Sequence, residues 1–218
     1  MKLADFEGVI YDMDGVLTDS EPLWKIAMED VFKSVGCPLT KEDFQRTVGL
    51  RIDEVISYWY HVSPWENASP KEVEDAIIQR MVELLTERAT PLPGVLESLT
   101  FFSSKGLKIG LATSSYQVLI NCILDTLNIR PFFQAIHSAE FETYGKPHPA
   151  VYLSAANTLG LDPKKCLVIE DSLNGIISGK AARMTVICIP EKTHHPEPKL
   201  ILADAQFEDL NQLIHSFK

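Results

Sequence analysis

The apolar and polar positions near the start of the chain predict a buried strand that ends in acids. Phe6 to Tyr11 is a short apolar run, which is typical of a strand inside a sheet. Asp12-Met13-Asp14-Gly15 follows it directly, so the run ends in carboxylates and a turn residue. Apolar residues then recur at helical spacing from Ser20, the expected N-cap, with Pro22 in the first turn. Carboxylates are therefore expected at the carboxyl end of the first strand.

The next part of the chain has the periodicity of helices and contains no good strand. Ser69-Pro70 is a helix start signal. Beyond the helix at Ser20, helices are predicted at Phe44–Val48, Val55–Tyr60 and Val73–Leu85. A proline-rich turn at residues 90–94 is typical of a domain boundary or hinge. We therefore predict an α-helical cap domain over residues 19–90, inserted into a core domain of residues 1–18 and 91–218.

After Pro93, predicted strands and helices alternate regularly. The strands are expected at Leu107–Ala112, Ala135–His137, Cys166–Ile169 and Thr185–Ile189. The helices are expected up to Lys105 and at Gln117–Leu127, Val151–Leu159 and Gly175–Ala182. Such alternation favours a parallel sheet with right-handed crossovers. The predicted fold class is α/β, a doubly wound, Rossmann-like parallel sheet with an inserted α-helical cap.

Acids, hydroxyls and a lysine follow the predicted strands in order. In chain order they are Asp12 and Asp14, Thr113 and Ser114, Lys146, and Glu170 and Asp171. Each group alone is a weak signal, but the ordered set at successive strand ends is much less expected by chance. Parallel sheets bind ligands beyond the carboxyl ends of their strands. We therefore expect these side chains to form one site.

These residue types suit the transfer of a phosphoryl group. A carboxylate such as Asp12 can attack phosphorus and form an aspartyl phosphate, which divides one difficult displacement into two easier ones. Asp14, two residues on, can give a proton to the leaving alcohol and then activate water. Asp12 and Asp171 offer the oxygen ligands that Mg²⁺ prefers. Lys146 and the Thr113 hydroxyl can hold the oxygens of the transferring group.

Composition excludes some partners and adds one requirement. The formal net charge of -10 disfavours nucleic acid and anionic membranes as partners. The same charge would repel a small phosphorylated metabolite unless positive charge is concentrated at its site. The cysteines have no metal-ligand spacing, so reduced thiols are expected, and His194-His195-Pro196 is expected to be a solvated turn. With neither a basic leader nor a long apolar stretch, a cytoplasmic monomer is the expectation.

The strand-end residues resemble the four motifs of the haloacid dehalogenase superfamily of aspartate-nucleophile phosphohydrolases. The motifs stand here as Asp12-Met13-Asp14-Gly15-Val16-Leu17-Thr18-Asp19-Ser20, Thr113, Lys146-Pro147-His148-Pro149 and Glu170-Asp171-Ser172. The resemblance spans nearly the whole chain. The helical insertion, with its Gly49-Leu50-Arg51 motif, resembles the cap of the β-phosphoglucomutase-like branch. Within that branch, Asp19 to Trp24, Gly49 to Asp53 and Lys180 to Met184 look most like bacterial phosphatases of 2-deoxyglucose 6-phosphate and hexitol phosphates.

The resemblance implies a role for each matched residue. It makes Asp12 the nucleophile and Asp14 the general acid and base, and it places Glu170 behind the metal ligands. The implied phosphate-site residues are Thr113, Ser114 and Lys146. The implied Mg²⁺ ligands are Asp12, Asp14 through its backbone carbonyl, and Asp171. Because the dehalogenases proper lack the second aspartate, Asp14 argues for phosphoryl chemistry.

Each of these residues also has an ordinary structural interpretation. The acids after the first and fourth strands could cap the helices that follow. Lys146 could be a solvated loop charge, and Thr113 with Ser114 could be a turn-forming hydroxyl pair. In the cap, Arg51 could contact substrate or lie on a solvated face. The aromatic residues at helical positions are more typical of a core than of a ligand surface; they are Trp24, Trp59 and Tyr60.

The predicted function is hydrolysis of small sugar or polyol phosphates by a Mg²⁺-dependent phosphatase. Because the core motifs address only the phosphoryl group and the metal, substrate selection is expected from the cap, with Glu21 and Arg51 as polar contacts and Trp24 as a stacking surface. A phosphomutase that returns the group to another sugar hydroxyl is the alternative enzyme. A non-catalytic protein that binds a phosphorylated metabolite is the alternative from a different class.

Overall fold

The computed structural model describes residues 1–47, 50–190 and 197–217. The chain forms two compact units, one of Met1–Asp19 with Thr90–Lys218 and the other of Ser20–Ala89. Gly49 of the predicted cap motif and the His194-His195-Pro196 segment lie outside the described residues. No helix in the described ranges is long and apolar enough to cross a membrane.

The first unit is built on a sheet whose described strands all run parallel. The strands, labelled β1 to β6 in chain order, are Gly8–Tyr11, Lys108–Thr113, Ala135–Ser138, Cys166–Glu170, Thr185–Cys188 and Ala205–Gln206. Their spatial order is β3-β2-β1-β4-β5-β6. The predicted fold class is therefore confirmed, because such an order requires crossover connections that carry the helices to the faces of the sheet.

Helices flank this sheet and make up the second unit. In the second unit they are α1 Glu21–Ser34, α2 Lys41–Gln45, α3 Ile52–Val62 and α4 Pro70–Arg88. In the sheet unit they are α5 Val95–Ser104, α6 Gln117–Thr126, α7 Ala150–Leu159, α8 Leu173–Ala181 and α9 Leu210–His215. Each predicted helix has a counterpart among these. Neither α9 nor β6 was predicted.

The helices of the second unit start where the sequence offers local capping residues. Ser69 caps α4, accepting a hydrogen bond from the N–H of Glu72, while the Glu72 carboxylate accepts from Ser69. Thr40 and Asp43 make the same exchange before α2, which therefore starts earlier than predicted. Ser20 is the N-cap residue of α1, as predicted, although its side chain makes no capping hydrogen bond.

The register of the central strands places the acids. β1 lies between β2 and β4, and Tyr11 at its end is level with Leu111 and Ile169. Every residue of β1 is buried, which is why its sequence is apolar on both faces. The backbone N–H of Asp12 continues the ladder with a 2.9 Å bond to the Ile169 carbonyl. Asp12 therefore leaves the sheet beside Glu170, the last residue of β4.

Candidate active site

Lys146 joins the acids at the carboxyl edge of the sheet. Its ammonium lies 2.6 Å from Asp12 Oδ1 and 2.7 Å from Glu170 Oε1. It also donates to the Ala112 carbonyl at 3.0 Å and to the Tyr152 hydroxyl at 3.1 Å. The side chain is only 5% exposed. Lys146 is therefore a buried ion-pair partner, and the interpretation as a solvated loop charge is wrong.

Both carboxylate oxygens of Glu170 are fully engaged by protein donors. Oε1 accepts from Lys146 and, at 2.7 Å, from the Tyr152 hydroxyl. Oε2 accepts from the backbone N–H groups of Asp171 and Ser172 at 3.0 and 3.2 Å and from the Ser172 hydroxyl at 3.0 Å. The residue is fully buried. Five donors leave this carboxylate little capacity for a metal, so its arrangement fits a residue that fixes its neighbours.

A glycine of α8 makes room for this carboxylate. A Cβ added at Gly175 would overlap the Glu170 carboxylate, so only glycine fits at this position. Gly15 plays a similar part after β1, where a Cβ would overlap the Asp171 carboxylate. Gly15 also has φ +73, a left-handed conformation that glycine adopts without strain.

Three carboxylates meet closely enough to hold a cation. One oxygen from each of Asp12, Glu170 and Asp171 lies within 4.8 Å of the others. Within the described ranges, Asp12 Oδ2 and the Asp171 carboxylate accept no hydrogen bond. Oxygen donors alone are the set that hard divalent cations such as Mg²⁺ prefer. The residues present therefore fit a divalent metal, with Asp12 and Asp171 as the better ligands.

The crowding of acids changes their pKa values. Burial, opposed by Lys146 and assisted by the charges of Glu170 and Asp14, raises the pKa of Asp12 from 3.8 to about 7. Burial and the Glu170 charge also hold the pKa of Asp171 well above its ordinary value. Burial works the same way on Glu170, but Lys146 and the hydrogen bonds outweigh it and lower that pKa. Glu170 is thus the anion that Lys146 neutralises, while burial and the neighbouring acids favour the protonated forms of Asp12 and Asp171.

The second predicted aspartate has a partner that was not predicted. The Ser115 hydroxyl donates to Asp14 Oδ2 at 2.6 Å. The Ser115 N–H donates to the Thr113 hydroxyl oxygen at 3.1 Å, and Thr113 is almost fully buried. Ser114 lies between them and is partly buried. The structure therefore brings Asp14, Thr113 and Ser114 to the sheet edge that also carries Asp12.

The residues proposed for substrate selection belong to the helical unit. Glu21 forms an ion pair with Lys25 at 2.6 Å, and Arg51 binds Asp53 through two hydrogen bonds of 2.8 and 3.0 Å. Trp59 is buried, as expected for a core residue, whereas Tyr60 is 37% exposed. Trp24 is partly buried. Contact of Glu21, Arg51 or Trp24 with substrate stays a prediction.

Two residues of the site, Tyr152 and Ser115, were not predicted, and only Ser115 had a local sequence signal. Tyr152 lies in α7 among apolar residues at helical spacing, where an aromatic side chain is an ordinary core residue. Ser115 ends a Thr-Ser-Ser run, of which only Thr113 and Ser114 were predicted to belong to the site. The run itself was the available signal, since residues two apart at a strand end point the same way. Tyr152 offered no such signal.

A buried aspartate at the end of the first strand, paired with a lysine and flanked by further acids, is an arrangement that defines a class of hydrolases. The chain belongs to the haloacid dehalogenase-like hydrolases, whose sequence pattern matches residues 9–189. The predicted family is therefore confirmed.

The similarity of the chain to individual proteins indicates which members of this family it resembles. The chain is 42% identical over 205 residues to hexitol phosphatase B of Escherichia coli K12, covering 94% of this chain and 92% of that protein. It is 34% identical over 179 residues to the phosphorylated carbohydrates phosphatase of Thermotoga maritima, covering 81% of each. Its structure is similar to a β-phosphoglucomutase of Clostridium difficile, with a TM-score of 0.82, 26% identity and coverage of 95% and 93%. The predicted enzyme class, a phosphatase, is confirmed.

Proposed function

We propose that this enzyme is a Mg²⁺-dependent phosphatase of small sugar or polyol phosphates that works through a phosphorylated Asp12. The observation that carries the proposal is the buried Asp12 carboxylate, bound at one oxygen by Lys146 and set beside Asp14 and Asp171. The names of the relatives, a hexitol phosphatase and a phosphatase of phosphorylated carbohydrates, support the substrate class. A small metabolite as substrate and a cytoplasmic location remain parts of this proposal.

The first half-reaction transfers the phosphoryl group to the enzyme. Lys146 holds Asp12 Oδ1, which orients the carboxylate so that Oδ2 can attack phosphorus. As the new O–P bond forms, the bond from phosphorus to the ester oxygen breaks. Asp14 gives its proton to that oxygen, and the sugar or polyol leaves as the neutral alcohol.

The second half-reaction returns the enzyme to its starting state. Asp14, now a carboxylate, accepts a proton from water as the water oxygen attacks phosphorus. The bond between phosphorus and Asp12 breaks, and inorganic phosphate leaves. Each proton lost by Asp14 in the first step is thus regained in the second, which is why one residue serves as acid and as base.

The phosphoryl oxygens need positive charge and donors in this acidic protein. We assign Thr113, Ser114 and Lys146 to hold them, since these residues lie at the same sheet edge as Asp12. Asp12, Asp171 and the backbone carbonyl of Asp14 would hold Mg²⁺. When bound, the ion would neutralise charge on the transferring group.

Phosphate release tests the proposal directly. The purified enzyme should release phosphate from a hexitol phosphate and from 2-deoxyglucose 6-phosphate, lose that activity with EDTA, and regain it with Mg²⁺. Asp12→Asn should abolish release while keeping the fold, whereas Asp5→Asn, an exposed acid before the same strand, should leave activity unchanged. Retained activity in Asp12→Asn would refute the mechanism.

The same assay separates the alternatives. Transfer of the phosphoryl group to another hydroxyl of the sugar, without phosphate release, would indicate a phosphomutase. Binding of the phosphorylated sugar without either reaction would indicate a non-catalytic protein. A phosphopeptide as the best substrate would contradict the proposed small-molecule specificity.

A further inference from the structure

We propose that Ser115 is a positioning residue that sets the Asp14 carboxyl group for both proton transfers; this rests on the proposed function. Its hydroxyl donates to Asp14 Oδ2 at 2.6 Å, although the two residues are 101 positions apart in the chain. That distance is at the short end of the range for O–H···O hydrogen bonds. Ser115 is also buried, with 9% exposure, so water competes weakly for this bond.

Ser115 is itself held by the ends of two strands. Its N–H donates to the Thr113 hydroxyl oxygen at 3.1 Å, at the end of β2. Its carbonyl accepts at 2.6 Å from the hydroxyl of Ser138, the last residue of β3. The Ser138 hydroxyl oxygen in turn accepts from the Glu140 N–H at 3.0 Å. The donor that reaches Asp14 therefore lies in the bend directly after β2 and is tied by hydrogen bonds to the ends of β2 and β3.

Asp14 needs such an anchor because it lies in a turn. It follows β1 and precedes Gly15, whose N–H bonds the Thr18 carbonyl at 2.9 Å across the turn. Fixing Oδ2 fixes the direction of the carboxyl group, and proton transfer depends steeply on the position of the donor and acceptor atoms.

The proposal is tested by the dependence of Ser115→Ala on the leaving group. Loss of positioning should lower kcat/KM about 10- to 100-fold on a hexitol phosphate, whose leaving oxygen needs a proton, but less than about threefold on 4-nitrophenyl phosphate. Ser115→Thr, which keeps the hydroxyl, should restore most of the activity. Ser98→Ala serves as the matched control, because it removes another buried hydroxyl, one bonded to Tyr11 at 3.0 Å, and should not alter the ratio between substrates.

A second measurement excludes a merely structural role. In the Asp14→Asn background, Ser115→Ala should cause no further loss, because its effect acts through Asp14. Equal losses on both substrates, or losses that multiply in the double variant, would overturn the proposal while leaving the phosphatase assignment intact. A wild-type enzyme that released phosphate from neither ester would overturn both.

Discussion

Without a bound metal, the sheet unit should lose stability as the pH rises, which is the opposite of the usual effect of carboxylates on stability. Asp12 has a pKa of about 7 in the folded metal-free protein against an ordinary 3.8. Between these values the folded state therefore binds more protons than the unfolded state. Stability then falls as the pH rises, because the slope of the unfolding free energy follows protons bound in the unfolded state minus those in the folded state.

The magnitude follows from the same two pKa values. Going from about pH 5 to about pH 8 should cost about 2 to 3 kcal/mol at Asp12 alone. The raised pKa of Asp171 acts in the same direction. The lowered pKa of Glu170 acts in the opposite direction, but only below its ordinary value of 4.5, outside this range. Asp12 is buried, so solvent screening reduces the effect little.

Binding of Mg²⁺ should restore the stability that is lost as the pH rises. The ion requires deprotonated carboxylates, so its binding to the folded state strengthens as the pH rises. A ligand that binds only the folded state raises stability by about 3 kcal/mol when present at about a hundredfold excess over its Kd. The stabilisation by Mg²⁺ should therefore be large at about pH 8 and small at about pH 5.

Urea unfolding of EDTA-treated enzyme, with and without Mg²⁺ at matched ionic strength, measures both effects. Asp12→Asn is the control, since it has no titrating group at this position and should lose the part of the pH dependence that comes from Asp12, while the part from Asp171 remains. The reasoning fails if the metal-free protein is equally stable at both pH values, or if Mg²⁺ stabilises wild type equally at each.

Four further substitutions test the sheet-edge site and the predicted role of the helical unit. Tyr152→Phe removes the hydroxyl that bonds Lys146 and Glu170, and should lower kcat about tenfold with little change in KM or in the unfolding midpoint; an unchanged kcat would contradict its role. Gly175→Ala should lower the stability by about 1 to 3 kcal/mol, and it should also lower kcat, because the new Cβ displaces Glu170. Ile177→Ala changes a half-exposed residue of the same helix and should leave kcat unchanged. Glu21→Ala and Arg51→Ala should lower kcat/KM on the best sugar phosphate but not on an aryl phosphate, and equal losses would mark these residues as structural.

The sheet and the positions of the acids were predictable because local sequence patterns mark both. The central strands are buried on both faces, so they appear as unbroken apolar runs, and the polar residue that ends each run marks the edge where ligands bind. β6 lacks this signal, because it consists of only two residues, Ala205 and Gln206, and neither is buried. The final helix did carry a signal, since Leu210, Leu213 and Ile214 recur at helical spacing after the capping residue Asp209.

The partners of the acids could not be read from the sequence. Tyr152 reaches Glu170 only because α7 packs on the sheet, and Ser115 reaches Asp14 only because β1 and β2 are neighbours. A helix periodicity assigns Tyr152 to the core, which is correct, but it does not tell which polar group the hydroxyl meets. Contacts across more than a hundred residues depend on topology, and topology follows from the whole chain.

The charges at the site and the acidic composition of the chain both favour a bound metal ion. The net charge of -10 requires local positive charge for an anionic substrate, and Lys146 is the ammonium at this edge. It bonds four protein oxygens, and the carboxylates of Asp12, Glu170 and Asp171 outnumber it. Burial and the neighbouring acids raise the pKa of Asp12, which favours its protonated form, and a protonated Asp12 is a poor nucleophile. A bound dication would release those protons and give the phosphoryl group a positive target, so activity should require the metal even though the lysine is in place.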